Sequence, residues 1–168
     1  MNEMKRPLDG VKVVELATFI AGPCCARFLA DLGAEVIKVE APAGDPLRFT
    51  AVNEGRPFGD QEDTSFCLEN TGKKCITLNL KTEAGRQVLE QLIAEADIFI
   101  TNWRQAPLKK AGLDYETLKV KYPKLVMGYI SGYGEKGPDK DLPGFDFTAC
   151  FARGGIMGTM YDKDSSPM

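Results

Sequence analysis

Residues 11–40, VKVVELATFIAGPCCARFLADLGAEVIKVE, decide the fold. The first six, Val11 to Leu16, are rich in β-branched side chains and follow Gly10, the pattern of a buried strand. Residues 17–23 form a turn, and Pro23 suits the first position of a helix, where a missing N–H is not needed. Residues 24–32 read as that helix, with Phe28, Leu29 and Leu32 on one face and Gly33 as the terminating cap. Residues 35–40 form a second strand. Links this short favour a parallel pair joined by a right-handed crossover.

The same alternation continues outward. Residues 74–80 read as a strand. Thr82 caps a helix to Ala96, with Val88, Leu89, Leu92, Ile93 and Ala96 as an apolar stripe at helical spacing. Residues 97–101 form a strand, 114–122 a short helix before Pro123, and 125–130 another strand. This order predicts an α/β fold, an open, mostly parallel Rossmann-like sheet with helices on both faces. Residues 41–66 carry turn and disorder signals, among them Pro42, Gly44, Pro46, Gly55 and Pro57, and read as a long irregular segment. Residues 154–158 read as a helix start or tight turn.

Composition narrows the function classes. The 168 residues are 43% hydrophobic and 27% charged with a formal net charge of −3, ordinary for a globular domain and unlike the basic excess of nucleic-acid binders. No apolar run reaches bilayer-spanning length, and residues 1–7 lack the apolar core of a signal peptide, so the expected compartment is the cytoplasm, without membrane attachment. The five cysteines (Cys24, Cys25, Cys67, Cys75 and Cys150) match neither a disulfide framework nor a zinc motif, and no metal is expected. The chain has no histidine, so His-dependent triads and imidazole metal sites cannot be built from it.

Three strand ends are candidate sites. The first turn offers Gly22 alone and the second strand ends at Glu40, too little for a dinucleotide fingerprint of three glycines. Asn102, Trp103 and Arg104 follow a strand, where ligands collect in α/β sheets, and with Lys109 and Lys110 they suit an adenine and its phosphates. Trp103, the single tryptophan, reads equally as a core residue. The glycine-rich run 131–138, followed by 143–146, is a ligand loop or a surface turn.

Taken together, these segments resemble the class III CoA-transferase family, the formyl-CoA and carnitine CoA-transferase type. The likeness runs from Leu8 to the end. It rests on Ala21-Gly22-Pro23, on residues 32–40, on Gly44-Asp45-Pro46-Leu47-Arg48, on Asn102-Trp103, and on Gly132-Tyr133-Gly134 through Gly137-Pro138. Residues 113–119, 122–125 and 134–146 are similar to the branch serving 2-hydroxy acid fermentation, which uses acids such as phenyllactate or 2-hydroxyisocaproate. The resemblance implies that residues 1–168 are the N-terminal part of a CoA-binding, Rossmann-like large domain, with the rest of that domain and a small domain outside the chain. It implies coenzyme A and acyl-CoA as substrates, with no tightly bound cofactor. It implies a carboxylic acid as the other substrate and an interlocked homodimer as the assembly.

The resemblance also assigns residues. Ile20, Ala21, Leu78, Asn79, Leu80, Lys81, Asn102, Trp103, Arg104, Lys110, Leu142, Pro143, Gly144 and Phe145 are the implied coenzyme A contacts, with Trp103 in the pocket rather than the core. The family nucleophile is an aspartate that forms an acyl anhydride and then an aspartyl-CoA thioester. Its motif is expected just past Met168; Asp162 and Asp164 lie too early, so the chain alone is expected to be inactive. Ile20 replaces a glutamine of the formyl-CoA type and Ala41 an arginine, which points to bulky apolar or aryl acyl groups rather than formate or oxalate. A racemase of the same fold is an alternative, but it needs a histidine where Phe145 stands. A non-catalytic CoA- or nucleotide-binding module is another.

Overall fold

The computed structural model describes residues 5–57 and 63–160. Five strands, β1 (Lys12–Leu16), β2 (Glu35–Glu40), β3 (Lys74–Thr77), β4 (Ile98–Thr101) and β5 (Val126–Tyr129), form one sheet in the order β3-β2-β1-β4-β5. Every pairing in it is parallel. Helix α1 (Ala21–Asp31) links β1 to β2, α4 (Glu83–Ala94) links β3 to β4, and α5 (Gln105–Ala111) and α6 (Tyr115–Lys121) lie between β4 and β5.

The alternation of side chains across the pleat sorts the core into two layers. Val13, Val36 and Ile100 face α1 and pack on Ala26 and Ala30. Val14, Leu16, Val39 and Phe99 point to the other face and pack on Leu89, Ile93 and Leu118 of α4 and α6. Helices therefore cover both faces, as the sequence predicts. The Thr82 hydroxyl accepts from the Gly85 N–H at 3.2 Å and starts α4 as expected.

Several expectations need correction. Helix α1 begins at Ala21, so Pro23 occupies its third position; an N–H there has no intrahelical partner and proline is tolerated. Strand β3 stops at Thr77, and Leu78 leaves through a bond from its N–H to the Glu40 carbonyl at 2.9 Å. The segment 41–66 is not irregular throughout. It holds a 3₁₀ turn (Pro46–Phe49), α2 (Thr50–Asn53) and the start of α3 (Thr64–Asn70), and it buries Leu47, Ala51 and Phe66. Helix α5 escaped the sequence reading because of Pro107, which again sits within the first turn. Residues 146–153 form a π-helical segment (Asp146–Arg153) where none was expected, and the turn read at 154–158 is followed by a short 3₁₀ turn, Met157–Thr159.

Phe99 is fully buried in a central strand between α4 and α6. Phe99→Ala is expected to cost about 3–5 kcal/mol, read as a lowered urea midpoint. A loss under about 1 kcal/mol would show that this layer is not the core the packing makes it.

Candidate active site

In the sheet order, the chain moves outward from β1 through β2 to β3, then returns to add β4 and β5 on the other side. The loops leaving β1 and β4 therefore diverge. Ligands in open α/β sheets bind in the crevice this reversal opens at the carboxyl ends of the strands. A cleft of about 730 Å³ lies there. Its walls come from the β1–α1 turn (Thr18 to Ala21), the β4–α5 turn (Asn102 and Arg104), the end of β5 (Tyr129 and Ile130), and residues from Gly132 to Cys150.

The β1–α1 turn is held from beneath by buried charge. The register pairs Glu15 of β1 with Lys38 of β2. The Lys38 ammonium donates to Glu15 Oε1 at 2.8 Å and to the Ala17 carbonyl at 3.0 Å, and it pairs with Asp45 Oδ2 at 2.9 Å. Lys73 reaches the other Glu15 oxygen at 2.7 Å and also donates to the Pro23 carbonyl and Asn70 Oδ1. The side chains of Glu15, Lys38, Asp45 and Lys73 are all 0% exposed. Asp45 Oδ1 accepts from the N–H groups of Phe19 at 3.0 Å and Leu47 at 2.9 Å. Glu40 accepts from the Asp45 N–H and takes a two-pronged pair from Arg48 at 2.9 and 2.8 Å. The Arg48 guanidinium lies 3.5 Å from the centroid of the Phe66 ring.

These contacts set the protonation states. Burial alone would pull the Lys38 ammonium down, but Glu15 and Asp45 outweigh it and hold its pKa above the ordinary lysine value. Lys73, which shares Glu15 with Lys38, is pulled below that value, chiefly by burial. Burial would raise the Glu40 carboxyl, yet the Arg48 fork and the Asp45 N–H bring it below the usual carboxylate value.

A second clamp holds the turn from the side. Asn102 Oδ1 accepts from the Thr18 N–H at 3.1 Å, and its Nδ2 donates to the Thr18 carbonyl at 2.8 Å. Held this way, Phe19 takes φ = 62°, the single positive φ outside glycine among the described residues. Phe19 and Ile20 are left 39% and 55% exposed. The far wall depends on glycine for a different reason. A Cβ built on Gly132 would stand 2.5 Å from the Gly144 Cα, and the reverse holds too. Backbone lies on backbone there, which sets Phe145 opposite Phe19, ring centroids 6.4 Å apart and edge to face.

Of the residues assigned from sequence, the cleft brings together Ile20, Ala21, Asn102, Arg104, Leu142, Pro143, Gly144 and Phe145. The others lie elsewhere. Leu78, Leu80 and Trp103 are partly buried and pack against the α4 and α6 core layer, outside the lining of this cleft. The reason is pleat parity: a residue two beyond Thr101 turns back over the apolar face. Asn79 accepts from the Lys81 N–H in the turn before α4, Lys81 is exposed there, and Lys110 is exposed on α5. Asp162 and Asp164 lie outside the described residues.

Sequence reasoning missed Glu15, Lys38, Asp45 and Lys73. The signal was present: Glu15 shares the pleat face of Val13, and Lys38 that of Val36, so both charges had to be buried and paired. Lys140 on the cleft rim was also missed. Among the described residues no group of three His, Cys, Asp or Glu side chains is placed to hold a metal ion, and no helix is long and apolar enough to cross a membrane.

A parallel α/β sheet with a cleft at its switch point defines the class, and comparison with known proteins narrows it. Residues 8–168 match the model of CoA-transferase family III, and the chain belongs to that family. It is 65% identical over 167 residues to the cinnamoyl-CoA:phenyllactate CoA-transferase of Clostridium sporogenes, covering 99% of this chain and 40% of that protein. It is 51% identical over 160 residues to the (R)-2-hydroxy-4-methylpentanoate CoA-transferase of Clostridioides difficile, covering 95% and 40%. Among solved structures, a CAIB/BAIF family protein from Brucella suis superposes with a TM-score of 0.88 at 41% identity, covering 98% of this chain and 43% of that one. The chain thus spans about two fifths of the length of these relatives.

Lys38→Met is expected to destabilise the protein by about 3–5 kcal/mol, since it leaves Glu15 and Asp45 buried with one fewer partner. A chemical denaturation curve that does not shift would refute the network's structural role. Glu40 tests the sign of its own shift. A carboxylate with a lowered folded pKa stabilises above its unfolded value and loses that stabilisation as the pH falls through the folded one. Glu40→Gln should lower stability at pH 7 and flatten its decline below about pH 4.5; thermal melts between pH 3 and 7 measure both.

Proposed function

We propose that the protein carrying this chain transfers coenzyme A between an acyl-CoA and a carboxylic acid, a 2-hydroxy acid such as phenyllactate or 2-hydroxyisocaproate. The observation that carries the reading is the cleft. It joins an apolar turn, Phe19 and Ile20, to the cations Arg104 and Lys140, a pairing that suits an acyl thioester bearing phosphates. One clostridial relative is named for cinnamoyl-CoA and phenyllactate, the other for (R)-2-hydroxy-4-methylpentanoate.

The chemistry in this reading is covalent. An aspartate carboxylate attacks the thioester carbonyl, the C–S bond breaks, and CoA leaves as thiolate with an acyl-aspartyl anhydride behind it. The thiolate then attacks the aspartyl carbonyl and releases the first acid as carboxylate. The acceptor carboxylate displaces the thiolate from the aspartyl-CoA to form a second anhydride, and the thiolate attacks its acyl carbonyl, giving the new acyl-CoA and freeing the aspartate carboxylate. We place that aspartate beyond Met168, so residues 1–168 alone would not turn over. The chain's own residues would bind and orient: Arg104 and Lys140 the phosphates, Ile20 and Ala21 the pantetheine end. We extend the proposal to a cytoplasmic homodimer, a state that would cover side chains such as Phe28 and Val120, now exposed.

The test is calorimetric titration of the full-length protein with CoA, together with exchange between cinnamoyl-CoA and phenyllactate followed by chromatography. Arg104→Ala and Lys140→Ala are each expected to weaken CoA binding about tenfold. Absence of both CoA binding and exchange would overturn the reading. Faster exchange with oxalate than with phenyllactate would overturn the acyl class.

A further inference from the structure

Phe19 combines three properties that packing alone does not explain. Its backbone lies in the left-handed region, where a side chain with a Cβ is strained and glycine is not. It is held there by a bond from its N–H to a carboxylate fixed by a buried ammonium. Its ring is not used to fill the core; it stays 39% exposed and meets Phe145, itself 61% exposed, across the cleft. A residue kept strained by a buried network, with its ring turned to the cleft and not to the core, is placed to act on what enters the cleft.

We propose that Phe19 and Phe145 form an aromatic clamp that takes the acyl group of the thioester and favours flat, apolar acyl groups, with Asp45 as the residue that positions Phe19. This rests on the transferase reading above and names the part of that cleft that distinguishes acyl groups. The rings touch edge to face and so form a right-angled corner, in which an aryl or conjugated acyl chain can stack on one ring and turn its edge to the other. A small acyl group leaves both rings wet and gains little. The two walls are fixed independently, Phe19 by Asp45 and Asn102, Phe145 by the Gly132–Gly144 crossing, so the spacing is set before the ligand arrives.

The strain supplies a test that separates ligand selection from structure. In the full-length protein, Phe19→Gly removes the ring and relieves the backbone, and Phe145→Ala removes the opposing ring. The quantity read is the ratio of kcat/KM for cinnamoyl-CoA over acetyl-CoA, with phenyllactate as the fixed acceptor. Each variant is expected to lower that ratio about tenfold, while Phe19→Gly melts at the same temperature as the parent or higher. If Phe19→Gly melts lower and the ratio holds in both variants, the rings are structural and the clamp is wrong. If exchange proceeds with an unchanged ratio, the clamp alone falls. If neither thioester reacts and CoA does not bind to the parent, the transferase reading falls and the clamp with it.

Discussion

The structure depends on where one ammonium group is kept. Lys38 is fully buried, and its charge is balanced by Glu15 from the neighbouring strand and Asp45 from the following loop. An unpaired charge at that depth would cost several kcal/mol, so the three groups must assemble together or not at all. Each comes from a different element, and the Ala17 carbonyl adds a fourth. The network therefore fixes the β1–β2 register, the path of the loop after β2 and the exit of the chain from β1. Apolar packing could have supplied as much stability, but it would have accepted small slips. Directional bonds to one ammonium do not, and the turn above it inherits that definition.

The cleft follows from the topology. The chain leaves β1 for one half of the sheet and returns at β4 to build the other, so no helix bridges the carboxyl ends of those two strands. The gap is closed from side to side by Asn102, whose amide bonds both backbone groups of Thr18. Asn102 was read from sequence as a ligand contact. In the structure its side chain lines the cleft but spends both amide groups on the turn. Those two bonds fix Thr18 at the start of the turn that carries Phe19 and Ile20.

Much of the fold was legible because its signals are local and periodic. The second strand was read with the bounds it has, Glu35–Glu40, and the Thr82 cap and the apolar stripe of α4 were visible in the residues themselves. What escaped reading depends on partners distant in sequence. The π-helical segment after Phe145 has no apolar period of its own, and α5 and α1 carry prolines that look like breakers until their place in the first turn is known. The site divided along the same line. Strand ends marked the cleft, since the β1 and β4 turns could be located, but whether a given residue faces it depends on pleat and loop path. Trp103 is one case: position after a strand suggested the ligand, and in the structure the ring, partly buried, packs at the edge of the core layer. Lys38 is the converse. Its parity with Val36 required burial, and only the parallel register with Glu15 shows how burial is tolerated.

These features fit together as a division of labour between a rigid polar base and exposed apolar tips. The base is satisfied: Glu15, Lys38, Asp45 and Lys73 partner one another, and Glu40 and Arg48 close the rim of the same loop. Such a base can hold a neighbour in a conformation it would not choose, because giving up the Asp45–Phe19 bond would leave a buried carboxylate oxygen with one donor, the Leu47 N–H, instead of two. The strain at Phe19 is thus tied to the same ammonium that fixes the register. A glycine at position 19 would relieve it with no change to the network beneath. A phenylalanine there makes sense when its ring acts outside the core, on whatever packs into the corner it forms with Phe145.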